Sequence, residues 1–183
     1  MTATHAPSTP TVPAAPSAQT RGARLAAELT TEAAGTRRVL ERLPEDRLDW
    51  RPHPKSMTLG QLALHLAQLP LGIASLVEPD VAELPIVPLT QPASRAEIVE
   101  ALDRSLDHAR ERLARWSDAE LDAPWSLTHA GTVLLTMPRG ELLRTLLFNH
   151  GYHHRGQLTV YLRLLDVPVP SLYGPTADER LFG

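Results

Sequence analysis

The sequence predicts an all-α protein, an antiparallel four-helix bundle in one domain. Three observations predict it. Four stretches carry apolar residues at helical spacing, most of them opened or closed by a recognisable signal. No stretch shows the sustained alternation that would build a sheet. No internal repeat divides the chain.

Composition agrees with one core. Of 183 residues, 43% are hydrophobic and 21% charged, which suits a single substantial interior. The net charge of −3, without a basic block, argues against nucleic acid or an anionic membrane as the main partner. With no cysteine there is no disulfide, thiolate zinc site or cysteine nucleophile. No apolar run approaches the roughly 18 residues of a membrane span. Residues 1–20 hold Pro, Ala, Thr and Ser without a charged side chain. They lack the basic start and apolar centre of a secretory signal and are expected to form a disordered tail. A cytoplasmic location is expected, and the bundle domain is expected over residues 21–183 with an extended C-terminal tail.

The first helix is expected from Arg21 to Leu43, with the stripe Leu25, Leu29, Ala33, Leu40 and Leu43, ended by Pro44. Glu32 at the stripe's edge reads as a surface carboxylate, and alternatively as a base near a metal. The following loop holds Trp50, Arg51 and His53, with His53 read as a surface residue. Thr58 and Gln61 make a capping box for the second helix, whose stripe is Leu59, Leu62, Leu66, Leu69, Ile73 and Leu76. His65 lies at the border of that stripe, where a side chain can look across a bundle interior. Pro70 and Gly72 predict a kink or break.

Glu78 to Ala93 holds four prolines and reads as a long connection. The third helix opens at Ser94, with Glu97 completing a capping box, and runs to Trp116 with His108 on its charged face. Asp118 to Met137 reads as irregular, with a short extended piece at Thr132–Thr136 and a loop histidine, His129, able to approach a site mouth. Pro138 suits the first turn of a last helix reaching Leu165. Gly156 within it suggests close approach of a neighbouring helix or subunit. Val167 to Gly183, rich in proline, should wrap the bundle without regular structure.

The last helix carries the chemistry. Leu143, Leu147, Tyr161 and Leu165 share one line, with His150 and His154 within roughly 20–40° of it and His153 roughly 80° away. Two imidazoles at i and i+4 on one face can reach a single metal ion. The alternative is a pair of core histidines satisfied by ordinary hydrogen bonds. If the second and fourth helices face each other, His65 becomes a third ligand beside His150 and His154. Arg155 and Arg163 point away from that line and read as surface or dimer contacts. Asn149 and Gln157 can orient by hydrogen bonds but cannot take a proton, so no general base is evident.

The run Asn149-His150-x-x-His153-His154-Arg155-Gly156-Gln157, with Tyr161-Leu162-Arg163 and Tyr173-Gly174-Pro175-Thr176-Ala177-Asp178-Glu179, resembles the DinB-like family, the DinB/YfiT group. Trp50-Arg51-Pro52 and Met57-Thr58-Leu59-Gly60-Gln61-Leu62 before His65-Leu66-Ala67 agree with it. Thr176 stands where relatives more often have serine. The resemblance implies a four-helix bundle, commonly a homodimer, with one divalent ion, often zinc or nickel, on His65, His150 and His154. It also implies relatives that are thiol-S-transferases using bacillithiol or mycothiol, and a mycothiol-dependent maleylpyruvate isomerase. The expected function is therefore a metal-dependent enzyme. It would transfer a low-molecular-weight thiol to an electrophile, or hydrolyse a small-molecule substrate. A non-catalytic dimeric bundle with a structural or sensory metal is the alternative.

Overall fold

The structure is a computed structural model and describes residues 19–180. The tail expected over residues 1–20 lies outside them except for Gln19 and Thr20. Thr20 caps the first helix by accepting from the Ala23 N–H at 3.2 Å. The chain is mostly helical. In order come α1 (Arg21–Leu40), α2 (Leu59–Leu76), β1 (Val81–Glu83), α3 (Arg95–Arg115), α4 (Asp118–Asp122), β2 (Pro124–His129), β3 (Thr132–Pro138), α5 (Arg139–Leu143) and α6 (His150–Leu164). A π-helical segment, Arg144–Asn149, joins α5 to α6 in one continuous helical run.

α2 is the central element. Its N-terminus is closed by the expected box: Thr58 Oγ1 accepts from the Gln61 N–H at 3.1 Å, and Gln61 Oε1 accepts from the Thr58 N–H at 3.0 Å. It packs on α3 and α6, while α1 packs on α3 and, more lightly, on α6. Leu59, Leu62, Ala63, Leu64, Leu66, Ala67 and Ala74 are all buried. α2 is long and apolar enough to cross a membrane by length and composition, yet more than half of it lies inside this fold. The helix does not break at Pro70. Proline denies α2 one N–H and disturbs the turn around it. The next amide, Leu71 N–H, is taken up by the buried Ser105 hydroxyl of α3 at 2.8 Å. At α3 the expected capping box is shifted by one residue. Ser94 accepts from the Glu97 N–H, but Glu97 reaches back to the Ala93 N–H, at 2.7 Å.

The expectation of no sheet is overturned by three strands in the order β1-β2-β3, with β1 parallel and β3 antiparallel to β2. The stretch from Asp118 to Met137, read as irregular apart from a short extended piece at Thr132–Thr136, holds α4 and a hairpin whose second strand, β3, contains that piece. Ala130 and Gly131, both at positive φ, form its two-residue turn. Alanine disfavours that conformation, so the turn is poorly announced in the sequence. Glu83 holds it by accepting from the Ala130 N–H at 2.7 Å and from Thr128 Oγ1 at 2.8 Å.

The sheet is tied to the helices by Arg139, which is 2% exposed. Its guanidinium donates to the Val77 carbonyl at the end of α2, the Glu120 carbonyl in α4 and the Asp80 carboxylate before β1, at 2.8, 2.8 and 2.6 Å. It also lies 4.4 Å over the Trp116 ring. Val167 to Arg180 has no helix or strand, as expected. It is fastened to α1 by Arg38 and Arg42 on Glu179, and to α6 by Arg163 on Asp178. The Thr176 hydroxyl donates to the Val169 carbonyl and accepts from the Asp178 and Glu179 amides.

Arg139→Met removes a buried cation and strands two carbonyls, so unfolding free energy should fall by about 2–4 kcal/mol. Asp80→Asn, which touches only the exposed end of the pair, should cost under about 1 kcal/mol in the same urea titration. Equal losses would show that the ion pair, not the carbonyl bonds, carries the effect.

Candidate metal centre

The three histidines singled out in the sequence meet in the structure. His65 stands in the second turn of α2, half-buried, in a register set by the Thr58 cap. His150 opens α6 and His154 follows one turn later. His154, Leu158 and Leu162 are buried at four-residue steps below His150. The sequence reading had one unbroken α-helix here, and the π-helical segment corrects it. Widening the turns of Arg144–Asn149 shifts everything after it by about 100° relative to a plain α-helix. Leu143 and Leu147 are buried in the core, and His150 and His154 face His65 of α2.

His150 Nε2 lies 3.0 Å from His154 Nε2 and 3.5 Å from His65 Nε2, and the ligand atoms of all three fall within 4.8 Å of one another. His154 Nδ1 donates to Gln157 Oε1 at 2.7 Å, which leaves its Nε2 as a bare lone pair facing the other two rings. One proton on His150 Nε2 cannot satisfy both neighbours. Burial holds all three imidazoles below their ordinary pKa, and the neighbouring histidines push in the same direction. For His154 the Gln157 contact opposes part of that shift.

Such a group fits a divalent cation. Nitrogens about 2.0–2.1 Å from a common ion stand roughly 3.3 Å apart at a tetrahedral angle. The distances of 3.0 and 3.5 Å bracket that value. The Gln157 contact is the kind of outer hydrogen bond that fixes the tautomer of a metal-bound imidazole.

The remaining candidates divide. His153 is exposed, its ring stacked 6.4 Å from that of His150. His53 and His108 are exposed, and His53 accepts from the Lys55 N–H. His129 sits on the hairpin, 3.4 Å from Glu83. Asn149 is exposed. Gly156 is exposed with no heavy atom within 4 Å of a built Cβ, so no neighbouring helix approaches it among the described residues.

Arg155 corrects the reading as a surface or dimer contact, because it is 3% exposed. It pairs with Glu32 at 2.6 Å, donates to the Glu32 carbonyl and meets the Tyr173 hydroxyl. Glu32 is accordingly neither a free surface carboxylate nor a base at the metal site. It joins α1 to the far side of α6. Close by, Arg144 grips Glu28 through two nitrogens, at 2.6 and 2.7 Å, and holds its carboxyl below the usual range. Burial and the neighbouring carboxylate push the Tyr173 hydroxyl up to about 12. Arg163 is exposed, as expected. Sequence reasoning missed the buried pair because Glu32 and Arg155 are far apart in the chain. The one local trace is Gly35, where a Cβ would stand 3.1 Å from the Arg155 guanidinium.

A cavity of 740 Å³ opens beside the cluster, with His65 and His150 in its wall. Leu69, Ile73, Leu76 and Leu146 line it from the helices, and Val81 and Val87 from the β1 side. Glu83 is the one carboxylate among its lining residues, and its hairpin hydrogen bonds hold it below the ordinary carboxylate pKa.

A pH dependence follows. Below about 6.5 the unfolded chain protonates these histidines while the fold resists it. Stability of chelator-treated protein should be flat above about 6.5 and fall as pH drops from there. The lowered carboxylates weaken the fold only below about 4.5. The urea midpoint should therefore drop between about pH 7 and 5.5, and by less in His65→Gln. A midpoint constant across that window would contradict this assignment.

Comparison with known proteins agrees with this architecture. The DinB family model matches residues 17–180. YrdA of Bacillus subtilis (strain 168), an uncharacterised protein, is 28% identical over 149 residues, covering 81% of this chain and 85% of that one. Among solved structures, a DinB-like protein from Bacillus cereus ATCC 10987 is similar at 26% identity and a TM-score of 0.64, covering 85% of this chain and 99% of that one. A member assigned to the DinB family from Exiguobacterium sibiricum 255-15, at 22% identity and a TM-score of 0.57 over 85% of this chain and 98% of its own, shares the fold. With the match reaching across all the described residues, this chain belongs to the DinB family.

Proposed function

We propose that the four long helical segments form an antiparallel bundle built around one divalent ion, zinc or nickel, held by His65, His150 and His154. The protein in this reading is a metal-dependent enzyme. It transfers a low-molecular-weight thiol to an electrophile or hydrolyses a small substrate. One observation carries the reading: three imidazoles held neutral by burial bring their ligand atoms within 4.8 Å of one another, two of them in the wall of a cavity sized for a small molecule. A divalent ion with three neutral ligands keeps its full charge and an open position, and supplies a Lewis acid that lowers the pKa of a bound water or thiol.

The chain's own groups have separable tasks. Gln157 holds the His154 tautomer. Leu69 and Leu146 keep the cavity wall beside the histidines apolar, and Gln68 brings a carboxamide to the same wall. The paired Arg155 and Glu32 anchor α6 from behind. The same reading takes the protein as a homodimer, supported by the exposed apolar residues Val133, Leu134 and Leu135 on the edge strand β3.

A second reading, a bundle with a structural or sensory metal, is favoured by the commitment of Glu83 to the hairpin. That leaves no free carboxylate among the residues lining the cavity. Under it, chelation lowers the melting temperature sharply while panels of thiols and electrophiles give no turnover.

Plasma mass spectrometry of untagged protein should find about one equivalent of divalent metal per chain, absent from His65→Ala and His154→Ala. Folded protein that takes up no metal when supplied would overturn both readings. Gln157→Ala should weaken metal affinity by about 10–100-fold with helix content unchanged. Affinity equal to the parent would remove Gln157 from the centre.

A further inference from the structure

The 740 Å³ cavity reaches from His65 and His150 along α2 to β1 and the segment around Pro85 and Val87. That volume lies within the roughly 300–1,000 Å³ typical of small-molecule sites. Its walls are chiefly aliphatic, and no lysine or arginine lines it. The polar groups it does hold are few. Ser75 Oγ is occupied by Arg112 at 3.0 Å, and Glu83 is occupied by the hairpin. Gln68 and the two histidines remain. The residues flanking Pro85 and Val87 continue the apolar character outward: Leu84 is 45% and Ile86 96% exposed. Gly72 contributes open space, because a Cβ built there meets nothing within 4 Å.

We propose that this cavity binds a small molecule with an uncharged, apolar body and one polar end directed at His65 and His150. The direction of the polar end rests on the metal-site reading above; the apolar body does not. The argument is one of matching. An apolar body gains by leaving water against Leu69, Ile73, Leu76, Val81, Val87 and Leu146. A body carrying several carboxylates or phosphates would be desolvated there without a cationic side chain to answer it.

The test uses full-length protein and the neutral fluorophore N-phenyl-1-naphthylamine, displaced by 1-octanol or by glutarate. The fluorophore should saturate one site per chain, and octanol should displace it at concentrations at least about tenfold below glutarate. Gly72→Trp fills the open space from an exposed helical position. It should weaken binding by about tenfold or more, while Gly72→Ala leaves binding unchanged. Val87→Lys, outside the helices, puts a cation in the wall and should narrow the preference for octanol over glutarate. Binding unaltered by Gly72→Trp, weakened as much by Gly72→Ala as by Gly72→Trp, or glutarate matching octanol on the parent protein, would overturn the proposal. Metal content measured on the same samples separates the two readings. Protein that takes up no metal when supplied and still binds the fluorophore fails the metal-site reading, and with it only the direction of the polar end; metal-loaded protein that does not bind it fails this proposal alone.

Discussion

Three imidazole nitrogens facing one another cannot be satisfied by the protons available among them, and that constraint organises the molecule. His154 is fixed as a bare acceptor by Gln157, and burial discourages protonation of all three rings. Several features that look local serve to hold the nitrogens together. The Thr58–Gln61 box sets the register of α2 and hence of His65. The Ser105 hydroxyl lets α2 run through Pro70 without leaving the Leu71 amide bare. The π-helical segment leads directly into His150, which with His154 meets His65 of α2. A π-helical insertion is uncommon and recurs at functional sites because it re-aims side chains without breaking a helix.

The last helix is loaded on both sides. One side carries the neutral histidines and faces α2 and an apolar cavity. The other carries Arg144, Tyr152 and Arg155, which meet Glu28 and Glu32 of α1 and Tyr173 of the C-terminal segment. A buried Arg155 lacking Glu32 would be an unpaired charge, so the two must be ordered together. The charged side therefore fixes where α6 sits, and the histidine side stays uncharged. Charge is kept out of the site in the same way at the sheet, where the Glu83 carboxylate is spent on holding Ala130 in a left-handed turn.

Much of this was legible in the sequence, for physical reasons. Helical periodicity and capping signals are local, so α1, α2, α3 and the last helical run were readable within a few residues. Spacing put His150 and His154 on one face, and His65 followed once α2 was placed opposite. What failed depended on distant contacts. The extended piece at Thr132–Thr136 lies in β3, but the sheet around it was missed because β1 has only three residues and the β2–β3 hairpin turns on alanine and glycine, not asparagine and glycine. Arg155 was read as exposed because its helical angle leads away from the histidines; burial on that side comes from α1 and Tyr173. The π-helical segment has no composition of its own. It was masked because a plain α-helix already put both histidines near the apolar line.

The central claim is that His65, His150 and His154 hold one ion together. X-ray absorption at the metal edge of zinc-loaded protein tests it most directly, because imidazole rings give multiple-scattering signals that can be counted. The account predicts three imidazoles at about 2.0–2.1 Å with one or more lighter ligands, falling to two in His65→Ala. Zinc bound with fewer than three imidazoles in the parent, or with a spectrum unchanged by that substitution, would contradict it.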